Sequence, residues 1–169
     1  MRQLLLLRHA KSSWDNPALD DFDRPLAPRG REAAPRMGRE LARRGWLPEL
    51  ALVSPAARTR ATWELVAAEL PRAASADFPD TLYNASAESI LSEIRQTPKT
   101  VKTLLVLGHN PGLENLARRL TGEDAEAGAL LWLREKFPTA ALARFEFGGK
   151  WAELASARLT HFLRPKDLA

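Results

Sequence analysis

Two histidines and two arginines stand just beyond short apolar runs of this 169-residue chain. They are Arg8, His9, Arg58 and His109. Arginine binds phosphate oxygens through its planar fork of N–H groups, and histidine can act as a nucleophile or carry a proton. These residue types therefore indicate phosphoryl chemistry, provided that the fold brings them together.

The apolar runs that precede them predict the elements that would do this. Residues 4–7, 50–53 and 104–107 are short and almost entirely aliphatic, which is typical of strands buried on both faces of a parallel sheet. In open α/β sheets, ligands bind beyond the carboxyl ends of the strands. We therefore expect the four side chains to meet at that edge of one sheet.

Helical patterns alternate with these strands, over residues 28–44, 55–70, 87–95 and 111–120. Ser54 is expected to cap the second of these helices, with Pro55 in its first turn. Alternating residues over 142–147, a Gly-Gly turn and the segment 151–162 predict a terminal β-hairpin. The expected fold is a single α/β domain over residues 1–169. It has three layers, with a mainly parallel sheet flanked by helices and an antiparallel edge hairpin near the C-terminus.

Composition narrows the chemistry. The chain has no cysteine, which excludes disulfides, thiolate nucleophiles and cysteine-ligated metals. Its N-terminal leucine run contains four residues, too few for a secretory signal, and it has no run of about 18 apolar residues that could span a membrane. We therefore expect a cytoplasmic protein without a membrane partner.

The formal net charge is +4, and seven arginines lie between residues 24 and 44. Such a cluster could form a nucleic-acid surface. It could also be a solvated helix face beside a site for an anionic substrate, and we favour this interpretation because no aromatic interleaving accompanies the arginines. No nucleic-acid partner is expected.

Three stretches resemble motifs of the histidine phosphatase superfamily, whose members have a phosphoglycerate mutase-like fold. Residues 6–10 (LLRHA) resemble its Arg-His-Gly signature, and residues 54–62 (SPAARTRAT) resemble its second-arginine motif. Residues 108–112 (GHNPG) resemble its second-histidine motif. The resemblance to the SixA-type phosphohistidine phosphatases is closer still. It rests on RHAKSSW at 8–14, DRPL at 23–26, LYNA at 82–85, FPT at 137–139 and LRPK at 163–166.

The resemblance implies a role for each residue. His9 is the expected nucleophile, and Arg8, Arg58 and His109 complete the catalytic set. The residues that we assign to substrate binding are Arg8, Arg58, His109, Asn110 and Ser12. The family needs neither a metal ion nor a cofactor, so none is expected here.

Two positions depart from the larger members of the superfamily. Asp15 stands where many of them have asparagine, six residues after the nucleophile. The segment around Tyr83 and Asn84, where many relatives supply a general acid, offers no carboxyl group, which leaves Glu88 and Asp15 as candidates. Without such an acid, alkoxide leaving groups depart slowly, whereas an imidazole can leave already protonated.

The expected function is therefore dephosphorylation of phosphohistidine through a phospho-His9 intermediate. The expected partner is a phosphorylated protein, for example a histidine phosphotransfer domain. Two alternatives stay open at this point. The chain could hydrolyse a small phosphate compound as a phosphomonoesterase of the same superfamily, or it could bind phosphate or phosphoproteins without turnover.

Overall fold

The central element is one mixed sheet of six strands, in a computed structural model that describes residues 1–168. Its spatial order is β3-β2-β4-β1-β5-β6. The strands are β1 (Arg2–Arg8), β2 (Leu50–Val53), β3 (Ser75–Asp77), β4 (Thr103–Gly108), β5 (Leu142–Phe147) and β6 (Arg158–Leu163). The first four are parallel to one another, and β5 and β6 run antiparallel at one side. The predicted mainly parallel sheet with an antiparallel hairpin is confirmed.

The two central strands, β1 and β4, pair in parallel from Gln3 and Thr103 to Arg8 and Gly108. Residues 4–7 and 104–107 are completely buried. Helices cover both faces of the sheet, which explains why these strands are uniformly aliphatic rather than alternating. Because β1, β2 and β4 run in the same direction, their carboxyl ends lie along the same edge.

Five helices form the outer layers: α1 (Pro28–Arg44), α2 (Ala57–Ala67), α3 (Ala87–Arg95), α4 (Gly112–Leu120) and α5 (Ala127–Glu135). On one face, α1 and α2 bury Met37, Leu41 and Val66 against the sheet. The other three helices pack on the opposite face, where Ile94 and Leu116 are completely buried. The three predicted layers are therefore present.

Two regions differ from the sequence expectations. The return strand of the hairpin begins at Arg158 rather than at residue 151, because Trp151 is buried in a 3₁₀ turn and its indole N–H donates to the carbonyl of Val101 at 2.8 Å. Helix α5 was not expected. Its Leu131 and Trp132 are exposed, so the sequence lacks a single apolar stripe there.

Two glycines let helices approach the loops that border this edge of the sheet. A Cβ on Gly30 of α1 would lie 2.2 Å from the carbonyl oxygen of Lys11. A Cβ on Gly112 of α4 would lie 2.1 Å from the carbonyl oxygen of Ala85. No side chain fits either contact.

Within residues 1–168, every helix is too short or too polar to traverse a lipid bilayer.

Candidate active site

The carboxyl ends of β1 and β4 and the first turn of α2 enclose a cavity of about 240 Å³. The ring centroids of His9 and His109 are 5.3 Å apart. All the residues that the sequence analysis assigned to catalysis or substrate binding line this cavity: Arg8, His9, Ser12, Arg58, His109 and Asn110. The structure thus brings together groups that are up to 102 positions apart along the chain.

His9 directly follows β1, and its side chain is fixed in one orientation. Its Nδ1 lies 2.8 Å from the carbonyl oxygen of Ala10. A carbonyl oxygen only accepts, so Nδ1 carries the proton and Nε2 keeps its lone pair. Burial lowers the pKa of His9 to about 3, with smaller contributions from His109 and Arg8. Burial, rather than the neighbouring arginines, is therefore the main reason that the ring of His9 is neutral.

His109 follows β4, and Ser54 holds its ring. The Nε2 of His109 lies 2.7 Å from Ser54 Oγ, which also accepts a longer bond of 3.4 Å from the backbone N–H of Ala56. The hydroxyl of Ser54 can donate its proton to Nε2, and in that arrangement the ring proton of His109 lies on Nδ1. Burial, followed by the charge of Arg58, lowers the pKa of His109 to about 4.

This arrangement corrects the expected role of Ser54. Helix α2 begins at Ala57 rather than at Pro55, and Ser54 does not cap it. The side chain of Ser54 is instead completely buried against the imidazole of His109.

Arg58 is buried in the first turn of α2 and is held by the loop that precedes α1. Its Nη1 donates to the carbonyl of Asp21 at 2.7 Å, and its Nη2 donates to Asp21 Oδ2 at 3.0 Å. Thr62, one turn later, accepts from the N–H of Ala10 at 3.0 Å and donates to the carbonyl of Arg58 at 2.7 Å. The second arginine is therefore tied to the backbone beside His9.

Three buried nitrogens at the cavity have no hydrogen-bond partner among residues 1–168: Nε of Arg8, Nε of Arg58 and Nδ1 of His109. Buried polar groups are nearly always paired, so an unpaired set needs an explanation. All three belong to residues that line one cavity, and each is an N–H donor if His109 has the tautomer inferred above. An anion in this cavity is the ligand that would satisfy them.

The comparisons with known proteins identify the family. A sequence model of the histidine phosphatase superfamily (branch 1) matches residues 4–82. In a solved structure, a protein of Nakamurella multipartitia assigned as the phosphohistidine phosphatase SixA is 34% identical, with a TM-score of 0.83 over 97% of this chain and 96% of that one. This chain belongs to the histidine phosphatase superfamily, and it is of the SixA type.

Two further relatives agree with this placement. A protein of Agrobacterium tumefaciens, also assigned as SixA, is 33% identical, with a TM-score of 0.83 over 97% of this chain and 98% of that one. A chloroplastic protein of Arabidopsis thaliana is 36% identical over 163 residues, which cover 90% of this chain and 70% of that protein.

No carboxylate lines the cavity of this histidine phosphatase within the part of the chain that the structure describes. Asp15 is exposed and does not reach it. Glu88 is also exposed and pairs with Arg119 at 3.5 Å. The two carboxyl groups that the sequence analysis kept as candidate general acids therefore both lie outside the cavity.

Asp21 lies beside Arg58, and the sequence analysis missed it. Tyr83 donates its hydroxyl proton to Asp21 Oδ2 at 2.6 Å, and Arg24 Nε donates to Asp21 Oδ1 at 3.2 Å. The hydrogen bond from Tyr83, followed by that from Arg58, lowers the pKa of Asp21 to about 2. Asp21 is thus ionised at neutral pH and orients Arg58 without a proton to donate. The contact spans 37 residues, and no local pattern reveals such a pairing.

Arg24 lies at the mouth of the site and also holds its own loop. It lines the cavity, and its Nη1 donates to Ser12 Oγ at 2.8 Å. Its guanidinium also lies 3.5 Å from the centroid of the Trp14 ring. Its acidic partner is Asp21, at 3.2 Å.

Asn110 lines the cavity, but its amide is already engaged. Its Nδ2 donates to the carbonyl of Phe137 at 2.9 Å, and its Oδ1 accepts from the N–H of Glu114 at 3.2 Å. Asn110 therefore fixes the loop that also receives a hydrogen bond from Arg8.

Among residues 1–168, no group of three histidine, aspartate or glutamate side chains is placed to hold a metal ion.

Proposed function

We propose that this protein is a phosphohistidine phosphatase that transfers the phosphoryl group of a phosphorylated protein to Nε2 of His9 and then to water. One observation carries the proposal. His9, whose Nε2 keeps its lone pair, lines the same cavity as Arg8, Arg58 and His109, and each of these three residues has a buried nitrogen without a partner. A nucleophile beside preorganised, unpaired hydrogen-bond donors is the arrangement that phosphoryl transfer requires.

In the first step, the lone pair of His9 Nε2 attacks phosphorus, and the bond from phosphorus to the substrate nitrogen breaks. The substrate imidazole, which is already protonated on its other ring nitrogen, keeps the electron pair of the broken bond and leaves as a neutral ring. The carbonyl of Ala10 stabilises the positive charge that develops on the His9 ring, because it already accepts from Nδ1–H. Arg8, Arg58 and Nδ1–H of His109 bind the phosphoryl oxygens while charge spreads over them.

In the second step, water attacks the phosphorus of phospho-His9. The bond from phosphorus to Nε2 breaks, its electron pair returns to Nε2, and the proton of the water passes to phosphate or solvent. Because its pKa is about 4, His109 is neutral and acts as a hydrogen-bond donor in both steps. Arg8 and Arg58 supply the positive charge throughout, so we propose a reaction that needs neither a metal ion nor a cofactor.

The missing general acid favours phosphohistidine over a sugar or alcohol phosphate. The cavity lining contains no carboxylate among the described residues, and Asp21 beside it is ionised at neutral pH. An alkoxide needs a proton to leave, whereas a protonated imidazole does not. The two solved relatives assigned as phosphohistidine phosphatases support the same substrate class.

A labelling experiment tests the proposal. Protein incubated with ³²P-phosphohistidine peptide and quenched in alkali should carry label, because phosphohistidine survives base. The label should be absent from His9→Ala and present in His161→Gln, whose histidine lies outside the cavity. A phosphohistidine peptide should also be hydrolysed faster than sugar and nucleotide phosphates. Adding a metal chelator should leave the rate of hydrolysis unchanged. Label elsewhere, or faster hydrolysis of the small esters, would show that the assignment is wrong.

A further inference from the structure

A second, larger concavity of about 460 Å³ adjoins the catalytic cavity. We call it the basic groove. Its charged lining consists of six cations and one carboxylate, Glu32. The cations are Lys11, Arg29, Arg36, Lys136, Arg164 and Lys166. They come from the loop after β1, from one side of α1, from the loop before β5 and from the turn after β6, so the fold concentrates positive charge from four separate segments.

The floor of the groove is fixed by the fold. Arg36 donates to the backbone carbonyls of Pro165 and Leu168 at 3.3 and 2.9 Å. Arg164 forms a two-pronged pair with Asp167, with both bonds at 2.8 Å, and stacks on Trp132 at 3.5 Å from the ring centroid. Arg36 therefore holds the C-terminal turn against α1, and Arg164 holds the same turn against Trp132 of α5.

The other four cations are exposed, and none has a carboxylate within 4.0 Å among residues 1–168. They are Lys11, Arg29, Lys136 and Lys166. Elsewhere on the surface, arginines such as Arg39 and Arg43 pair with nearby glutamates. Unpaired cations gathered in one concavity raise the local potential and attract anions.

The groove and the catalytic cavity share two lining residues, Lys11 and Thr139. A substrate whose phosphoryl group lies at His9 can therefore continue over these residues into the groove. The occupant of the groove is then another part of the same substrate, so the inference that follows rests on the proposed function.

We infer that the basic groove binds acidic residues that flank the phosphohistidine in the protein substrate. A peptide fits better than a small polyanion, because most of the cations lie on exposed, flexible side chains rather than converging in an enclosed pocket. Trp14, on the lining of the adjoining cavity, is 71% exposed and offers the kind of aromatic contact that is common in protein interfaces. The groove thus selects acidic sequences around the reacting residue.

The test compares two phosphohistidine peptides of equal length, one with glutamate and aspartate on both sides and one with glutamine and serine. At low salt, the wild-type protein should hydrolyse the acidic peptide with a kcat/KM about tenfold higher, and this preference should shrink as salt screens the charges. The triple variant Arg29→Glu, Lys136→Glu, Lys166→Glu should lose the preference and keep the rate on the neutral peptide.

A matched control carries the same change in net charge at exposed positions outside the groove: Arg72→Glu, Lys99→Glu, Lys150→Glu. It should keep the preference for the acidic peptide. Thermal unfolding of both triple variants should show that each one folds, and the neutral peptide should show that each cavity is intact.

The outcomes separate the two proposals. Equal rates on both peptides in the wild-type protein would overturn the role of the groove and leave the proposed function standing. No hydrolysis of either peptide would refute the proposed function, and the inference with it. Faster hydrolysis of fructose 1,6-bisphosphate than of the acidic peptide, lost in the groove variant, would refute both proposals and show that a small polyanion occupies the groove.

Discussion

The buried cations of the catalytic cavity and the exposed cations of the basic groove are adjacent but differ in how the fold holds them. Arg58 is buried and bound through two nitrogens to Asp21, whereas Lys136 and Lys166 are exposed and have no carboxylate partner within residues 1–168. Preorganised buried charge stabilises a transition state, because little reorganisation is needed when charge develops. Exposed charge increases the rate of encounter and is sensitive to salt. Changes in the cavity should therefore alter kcat, and changes in the groove should alter KM.

The largest expected effect comes from removing the nucleophile. His9→Ala should lower kcat by about 10⁴-fold or more, since no other group takes the phosphoryl group. Steady-state hydrolysis of phosphohistidine peptide measures it, with His161→Gln as a histidine control. Residual activity within tenfold of the wild-type value would show that the cavity does not act through His9.

The next effect tests the geometry of a cavity cation. Arg58→Lys keeps the charge but loses the planar fork that both Asp21 and the phosphoryl group use, so kcat should fall by about a hundredfold. Arg29→Lys is the matched change in the groove, and it should leave kcat unaltered on the neutral peptide. Equal losses in the two variants would remove the distinction between cavity and groove.

A smaller effect should come from Ser54, whose hydroxyl holds the ring of His109. Ser54→Ala should lower kcat about tenfold, because the His109 tautomer is no longer fixed, and leave KM nearly constant. The ¹⁵N chemical shifts of His109 provide a second readout, and they should change from a single Nδ1–H form to a tautomer mixture. Unchanged shifts would assign Ser54 a role in packing alone.

The smallest effect is on stability. Both cavity histidines have folded-state pKa values, about 3 and about 4, that lie below the ordinary value of 6.5. Between these values and 6.5 the unfolded chain binds the protons, so the free energy of unfolding falls as the pH drops through this window and is constant above it. Each histidine contributes a slope of up to about 1.4 kcal/mol per pH unit.

Urea unfolding of the wild-type protein and of His9→Asn at several pH values measures this slope. The variant should show a shallower dependence below pH 6.5 and no difference in slope above it. The groove contains no histidine, so Arg29→Lys, which adds no group that titrates in this window, should retain the wild-type slope. Parallel curves for the wild-type protein and His9→Asn would show that the ring of His9 is not held neutral by burial.

The sequence predicted the sheet, the hairpin and the position of the cavity because these depend on local signals. Aliphatic runs ending in Arg8 and His109 mark both the strands and the edge at which they finish. Helix α3 was predicted with its bounds, and Ser86 caps it, since its Oγ accepts from the N–H of Ser89. The catalytic roles, the single-domain organisation and the cytoplasmic location stay predictions.

What the sequence could not predict depends on contacts between distant segments. Ser54 has the signature of a helix cap, yet it lies 2.7 Å from His109, whose ring competes for the same hydroxyl. The bond from Asp21 to Arg58 and the approach of Arg36 to the C-terminal turn have no periodic signal, because each joins parts of the chain that only the folded sheet brings together. The same holds for the basic groove.

Gly30 and Gly112 extend the mutational sensitivity of the protein beyond the residues that react. A single methyl group at either position would push a helix away from the backbone of Lys11 or Ala85. The first displacement would widen the boundary that the groove and the cavity share, and the second would shift the start of α4 behind His109. Substitutions at Gly30 and Gly112 are therefore expected to give variants that remain well folded but are inactive, although neither residue carries a functional group.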